Sequence, residues 1–310
     1  MKPINTFDEL IQEVKKLKKR KVVVASAHNE AALHAVIEAN KIGIADAILV
    51  GDEFKIKEII NNLNYDVNNG FEIINEKDDI RAVEHSIELI HQNKADILLK
   101  GKVDTSTLMK AVLNSEKGLR TGRVLSDAFI FQFDGKASDN KLIIITDGGL
   151  NLFPDLNQKI EIIKNAVEVA QSLGNEIPKV AILSAIETVN PNIPGTLDAA
   201  IISKMNERGQ IKGCIIDGPL ALDNAISPEA AKEKGIKSVV AGYADILITT
   251  NLEMGNVLAK STTYFAKLRL GHVIMGAKVP ILIPSRSDNS DAKLLSICLG
   301  VMVCSKKGSE

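Results

Sequence analysis

Short runs of apolar, largely β-branched residues recur along the 310-residue chain, and longer stretches with helical periodicity separate them. Most of these runs are continuously apolar rather than alternating, which is typical of strands buried on both faces of a parallel sheet. We predict strands at residues 22–25, 47–50, 97–99, 129–133, 142–145, 180–183, 214–216, 246–248, 273–275 and 280–283.

The stretches between these runs carry helix start and stop signals. A helix over 29–41 begins at a capping Asn29 and stops at Gly43, and the clearest helix, over 155–173, stops at Gly174. Further helices are predicted over 78–93, 104–113, 197–207, 229–234, 255–270 and 291–299. This alternation of strands and helices predicts a doubly wound α/β fold.

One pair of strands departs from the alternation. The strands at 129–133 and 142–145 are joined by the polar residues 134–140, a connection too short for a crossover helix. We therefore predict an antiparallel hairpin here, and with it a domain boundary near residue 134.

Composition narrows the class of protein. The formal net charge is −1 and aromatic residues make up 4% of the chain, with no Trp, so nucleic-acid binding is not favoured. The three cysteines form no C-x-x-C pair, which argues against a disulfide framework or zinc site and fits a reducing cytoplasm. Neither a signal peptide nor an apolar run long enough to span a membrane is expected.

Polar and glycine-rich residues follow several predicted strands. In open α/β sheets, ligands bind beyond the carboxyl ends of the strands, so we expect these segments to line a shared cleft. They are residues 100–105, 146–149, Ser184 with Glu187, 217–219 and 284–286.

The candidate chemistry in these segments is anion binding. Nucleotide signatures such as G-x-G-x-x-G and the P-loop are absent, as are H-E-x-x-H and G-x-S-x-G. Arg120 and Arg123 lie close together in the chain, and Arg286 follows Ser285 at the start of a predicted helix. A guanidinium group can donate two parallel hydrogen bonds to two oxygens of one phosphate, and a helix N-terminus offers free amide donors to an anion.

In order and spacing, several segments resemble the phosphate acetyltransferase and phosphate butyryltransferase family, and the likeness covers nearly the whole chain. It is closest to the butyryltransferase branch. The segments are 100–109, 118–123, 145–150 with 154–156, 217–223, 255–257 and 285–286.

The resemblance implies two doubly wound α/β domains with a cleft between them, of the kind found in isocitrate and isopropylmalate dehydrogenases. One domain would combine residues 1–133 with 285–310, and residues 134–284 would form an inserted second domain. The family also implies a homo-oligomer built on dimers. Because this fold serves several chemistries, the fold alone does not assign a function.

The resemblance also implies a site. Ser285 and Arg286 match a catalytic Ser-Arg pair, and Asp291 would be the base, with Asp288 as the alternative. No metal and no cofactor are implied beyond coenzyme A and phosphate, which are substrates. Residues expected to bind those substrates are Lys100, Lys102, Thr105, Arg120, Arg123, Asp217 and Gly218.

The implied reaction is reversible transfer of a short acyl group, butyryl favoured, between coenzyme A and inorganic phosphate. Acetyl transfer is the close alternative. A sensor that binds coenzyme A or an acyl phosphate without turnover, and an oxidoreductase on the same fold, are alternatives of other classes. The oxidoreductase would need nicotinamide and metal-carboxylate motifs that the sequence lacks.

Overall fold

The computed structural model describes residues 2–133, 140–284 and 290–307. The chain divides into two compact units. The central unit comprises Met1–Phe7 and Val124–Leu270, and the flanking unit comprises Asp8–Arg123 and Gly271–Glu310. The domain bounds expected from the resemblance stay a prediction.

The predicted α/β class is confirmed by alternating strands and helices. The strands are β1 Arg20–Ala25, β2 Ala45–Gly51, β3 Phe71–Asn75, β4 Ile97–Lys100, β5 Ser126–Phe133, β6 Lys141–Thr146, β7 Lys179–Leu183, β8 Ile215–Leu220, β9 Ile246–Ile248, β10 Leu270–Met275 and β11 Ile281–Leu282.

The helices fall between these strands. They are α1 Phe7–Val14, α2 Glu30–Lys41, α3 Glu53–Asn62, α4 Asp79–His91, α5 Thr105–Val112, α6 Leu156–Ser172, α7 Pro194–Glu207, α8 Leu222–Ile226, α9 Pro228–Glu233, α10 Leu252–Tyr264 and α11 Ser290–Lys307. In the described part of the chain, no helix combines the length and apolar character needed to cross a membrane.

The sheet of the flanking unit has the order β3-β2-β1-β4-β11-β10. Strands β1 to β4 and β11 run parallel, and β10 is antiparallel to β11. The inner strands β1 and β4 are almost wholly buried because helices cover both faces, and α11 packs against α2, β4 and β11. This burial explains why their sequences are continuously apolar.

The sheet of the central unit has the order β5-β6-β9-β7-β8. The predicted hairpin is confirmed, since β5 is antiparallel to β6 with Phe129 opposite Ile145. The other strands are parallel. Helix α6 begins with a capping box in which Asp155 and Gln158 satisfy each other's backbone amides.

Several elements differ from the sequence prediction. Strand β3 and helix α3 were missed, because β3 is a half-exposed edge strand that pairs only with β2 in the described sheet and lacks a continuous apolar run. The helix predicted over 255–270 is α10, which starts earlier because the Asn251 side chain accepts a hydrogen bond from the Met254 amide. Helix α11 continues past the predicted end at residue 299.

Candidate functional site

The flanking unit has a topological switch point at the carboxyl edge of its sheet. The chain builds β2 and β3 outward on one side of β1, and then places β4 on the other side. Open α/β sheets bind ligands in the crevice at such a point. A cavity of about 540 Å³ lies here, lined by Asn29, Asp79, Ile80, Lys100, Gly101, Lys102, Val103, Asp104 and Thr107.

The floor of this switch-point cavity is a tight contact between the β1 and β4 tips. The Gly101 amide donates to the Ala25 carbonyl at 2.9 Å, and the Lys102 amide donates to the Ser26 carbonyl at 2.8 Å. A Cβ at Gly101 would lie 2.1 Å from the Ser26 carbonyl oxygen. Only glycine allows this approach.

The two lysines of the cavity have different surroundings. Lys100 is buried, and its Nζ donates to the carbonyls of Val103 at 3.1 Å and Gly101 at 3.4 Å, so it braces its own loop. Lys102 is exposed and lines the cavity. Of the two predicted substrate-binding lysines, Lys102 therefore presents its charge to a ligand more directly.

A polar cluster of the buried Ser26 and His28 with the half-exposed Asp79 supports the same edge. Ser26 has a left-handed backbone with φ of 57°, and its Oγ donates to Asp79 Oδ1 at 2.5 Å. His28 Nε2 lies 3.5 Å from the same oxygen. Since Ser26 also accepts the Lys102 amide, Asp79 is linked to Lys102 through Ser26.

His28 is 8% exposed, and its buried Nδ1 has no hydrogen-bond partner among the residues that the structure describes. Burial lowers the pKa of His28. The negative charge of Asp79 raises this pKa, and the positive charge of the nearby Lys102 lowers it. The imidazole is therefore neutral at pH 7.

Other predicted site residues of the flanking unit are not among the described residues that line the cavity. Thr105 is the exposed first residue of α5, and Arg120 is exposed with its backbone bridged to Ala277. Arg123 is half-buried, and so is Asp291 in the first turn of α11. The predicted catalytic residues Ser285 and Arg286, and the alternative base Asp288, lie outside the described residues.

In the central unit, the 146–149 segment forms a turn organised by Asp147. Its Oδ1 accepts from the amides of Gly149 at 2.8 Å, Leu150 at 3.2 Å and Asp127 at 3.3 Å. Its Oδ2 accepts from the Asn151 amide at 3.0 Å and from Asn151 Nδ2 at 2.5 Å. Burial raises the pKa of Asp147, and the negative charge of Asp127 raises this pKa further. The hydrogen bonds from Gly149 and Asn151 lower it.

This turn packs directly on α10. A Cβ at Gly255 would lie 2.3 Å from the Asp147 carbonyl oxygen, and one at Gly148 would lie 2.8 Å from the Gly255 carbonyl carbon. Asn256 Nδ2 donates to the Gly148 carbonyl at 3.0 Å. The glycines at 148 and 255 thus form one structural contact.

The structure corrects the expectation that residues 217–219 follow the end of a strand, because these residues lie inside β8. The strand continues beyond the predicted end at residue 216 through a register irregularity against β7. Asp217 Oδ1 accepts the Gly218 amide at 2.8 Å, and a Cβ at Gly218 would lie 2.9 Å from the Ile182 carbonyl oxygen.

The sequence interpretation missed Ser26, Asp79 and Asn29 as candidate site residues. The tip of β3 was not considered because β3 itself was missed, although Asp79 directly follows the capping Asp78 of α4. A search for acidic residues at helix starts would have found Asp79. Its partners Ser26 and His28 directly follow the predicted strand 22–25, and polar residues at such a strand end are candidates for a ligand site.

Comparison with known proteins finds relatives along nearly the whole chain. A family model described as phosphate acetyl/butaryl transferase matches residues 6–87 and 81–301. The chain belongs to this family. It is 45% identical to phosphate butyryltransferase of Clostridium acetobutylicum over 98% of this chain and 100% of that one. It is 41% identical to phosphate acetyltransferase of Thermotoga maritima over 96% of this chain and 99% of that one.

A solved structure agrees with the sequence relatives of the phosphate acetyl/butyryl transferase family. The branched-chain phosphotransacylase from Enterococcus faecalis superposes with a TM-score of 0.80 at 31% identity, over 92% of this chain and 99% of that chain. The resemblance inferred from the motifs is thereby confirmed at the level of the family.

Proposed function

We propose that this chain is a phosphate acyltransferase that moves a short acyl group, butyryl favoured, between coenzyme A and inorganic phosphate. The observation that carries the proposal is the 45% identity to a phosphate butyryltransferase over 98% of this chain and 100% of that one. The switch-point cavity supports this proposal. Its volume suits part of a small ligand, and Lys102 lines the cavity, where its ammonium group can bind an anion.

The proposed chemistry is direct transfer without a covalent enzyme intermediate. The coenzyme A thiol loses its proton, the sulfur attacks the carbonyl carbon of the acyl phosphate, and the carbon–oxygen bond to phosphate breaks as phosphate leaves with the electron pair. A free thiol has a pKa of about 8.5, so ionising it at pH 7 costs roughly 2 kcal/mol. Asp291, in the first turn of α11, would accept the proton.

Cationic side chains would stabilise the departing phosphate. Arg286 is the proposed main contact, with Lys102 or Arg123 as a second. Ser285 would donate a hydrogen bond to the carbonyl oxygen as negative charge develops there, an interaction typically worth about 3–4 kcal/mol. In the reverse direction, phosphate oxygen attacks the thioester and the thiolate leaves. The proposed reaction requires neither a metal nor a further cofactor, and its proposed compartment is the cytoplasm.

Acetyl transfer is the second candidate, because a phosphate acetyltransferase is 41% identical to this chain over nearly its whole length. Two methylenes in an apolar pocket change discrimination by only a few kcal/mol. The difference between the two candidates is therefore one of degree, to be measured as a ratio of kcat/KM values.

The test follows thiol release from butyryl-CoA with and without phosphate, alongside acetyl-CoA. Phosphate-dependent release, faster with butyryl-CoA, is the expected result. Release that ignores phosphate would identify a thioesterase, and binding of coenzyme A without release would favour the sensor. Hydride transfer with NAD(P) would instead identify an oxidoreductase.

The role of Lys102 is tested by Lys102→Met. Hydrogen bonds to charged groups contribute roughly 1.5–3 kcal/mol, so we expect KM for phosphate to rise by about tenfold or more. Lys110→Met, an exposed lysine in the last turn of α5, is the matched control and should leave KM unchanged. Equal effects of the two substitutions would contradict a specific role for Lys102.

A further inference from the structure

The flanking unit has a further pocket at the amino edge of its sheet, the edge opposite the switch point. It lies where β1, β4 and β11 begin, and its volume is about 210 Å³. The residues of this amino-edge pocket that matter for binding are Arg20, Ile90, Asp96, Lys278, Pro280 and Cys304.

Arg20 is fixed in the amino-edge pocket but is not saturated with hydrogen bonds. Its Nη2 donates to the Cys304 carbonyl at 3.1 Å, and its Nη1 lies 3.6 Å from Asp96 Oδ1. Its Nε is buried and has no hydrogen-bond partner among the residues that the structure describes. A guanidinium group has five N–H donors, and buried polar groups are nearly always paired, so Arg20 retains donors for the oxygens of a ligand.

Positive charge predominates around the pocket. Lys278 is exposed and lines it together with Arg20, and two further exposed lysines, Lys21 and Lys94, adjoin lining residues in the chain. Asp96 is the acidic residue of the described lining, and its Oδ2 already accepts the Lys21 amide at 2.8 Å. The helix C-termini at this edge add only about half a unit of negative charge each, so the pocket attracts an anion.

Apolar side chains form another part of the lining, and the backbone holds them in place. Ile90 and Pro280 are buried. The Pro280 carbonyl accepts the Leu98 amide at 3.1 Å, and the Lys278 amide donates to the Leu119 carbonyl at 2.9 Å. Pockets for drug-sized ligands usually measure about 300–1,000 Å³, so this smaller pocket suits a molecule with only a few carbon atoms.

We propose that the amino-edge pocket is a binding site for a short-chain carboxylate. The carboxylate oxygens accept hydrogen bonds from the Arg20 guanidinium and the Lys278 ammonium, and the carbon chain packs against Ile90 and Pro280. The apolar part of the lining favours such a ligand over an inorganic anion. Because the switch-point cavity lies at the opposite edge of the sheet, this inference goes beyond the proposed function and does not depend on it.

The first test measures the dissociation constant of butyrate by ligand-observed NMR. We expect saturable binding to wild type and a constant raised by about tenfold or more in Lys278→Met, which removes a charged donor. Lys102→Met changes the switch-point cavity instead and should leave the constant unchanged. The proposal is overturned if wild type does not bind butyrate, or if binding is lost in Lys102→Met and kept in Lys278→Met.

Butyramide tests whether charge selects the ligand, because it has the same carbon chain and no negative charge. We expect it to bind wild type at least about tenfold more weakly than butyrate. Equal affinities of the two compounds would contradict recognition by Arg20 and Lys278.

A third test blocks the pocket without changing its charge. Cys304→Phe adds an aromatic ring to the lining and should abolish butyrate binding, whereas Cys304→Ser is close to the native size and should bind like wild type. Urea denaturation establishes whether Cys304→Phe is folded, and Lys278→Met decides the question if it is not. Unchanged butyrate affinity in a folded Cys304→Phe would show that the ligand binds elsewhere.

Discussion

At the scale of single residues, the switch-point cavity depends on a short chain of contacts. Asp79 accepts the Ser26 hydroxyl, and the Ser26 carbonyl accepts the Lys102 amide. Ser26 is held in a left-handed conformation that is unusual for a residue with a side chain. Asp79 is therefore in a position to place the Lys102 loop.

This linkage predicts different outcomes for two substitutions of Asp79. Asp79→Ala removes the acceptor of the Ser26 hydroxyl, so we expect KM for phosphate to rise several-fold through a displaced Lys102. Asp79→Asn keeps an acceptor oxygen and should retain most of the affinity. Steady-state kinetics of the double variant, Asp79→Ala with Lys102→Met, test the linkage. A KM for phosphate no higher than that of Lys102→Met alone would support it, whereas fully additive effects of the two substitutions would contradict it.

His28 predicts a pH dependence of stability. Because burial lowers its pKa below that of the unfolded chain, the unfolded state binds the proton more readily. The stabilising effect of the neutral ring is present above pH 6.5 and is lost as pH falls through that value towards the folded pKa. We expect urea midpoints of wild type to fall between pH 7 and pH 5 by more than those of His28→Gln. His85→Gln, at a half-buried histidine, should behave like wild type.

At the scale of elements, local caps fix where several helices begin. At five helix starts, a capping side chain accepts a hydrogen bond from a backbone amide of the helix that follows. The capping residues are Asn29, Asp52, Asp78, Asp155 and Asn251. These contacts are local in sequence, which is why helix starts at Asn29, Asp78 and Asp155 were predicted correctly. The start of α10 was missed because its apolar positions are few and half-exposed.

The capping box of α6 gives an element-scale prediction. Asp155→Ala removes the acceptor of the Gln158 amide and should lower the free energy of unfolding by about 1 kcal/mol. Asp155→Asn preserves a capping oxygen and should cost less. Urea denaturation of both variants measures the difference, and equal losses would show that charge, rather than the hydrogen bond, is what matters at this position.

At the scale of the whole molecule, the flanking unit is discontinuous in sequence. The chain leaves it after Arg123 and returns at Gly271. The returning segment contributes β11, in which Ile281 pairs with Leu98 and Leu282 with Leu99, and α11, whose Cys304 carbonyl accepts Arg20 Nη2 at 3.1 Å. The core of this unit is therefore incomplete without the C-terminal segment.

A chain that ends at Leu270 tests this dependence. Removing β11 and α11 exposes β4 and α2, so we expect residues 8–123 to be cut rapidly in limited proteolysis while the full-length chain resists. Mass spectrometry of the fragments gives the result. A stable protected fragment spanning residues 8–123 would show that the N-terminal part of the flanking unit folds without the returning segment.

The sequence alone determined the α/β class, the buried strands and the hairpin, because burial on two faces and local capping leave periodic and short-range signals. The family followed from the resemblance of its motifs in order and spacing. Only the tertiary structure decided that Asp79 meets Ser26 and His28, that Gly148 meets Gly255, and that 217–219 belong to β8. These contacts join residues distant in the chain, and strand order and close backbone approach set them. A single sequence carries no direct signal of which strand tips become neighbours.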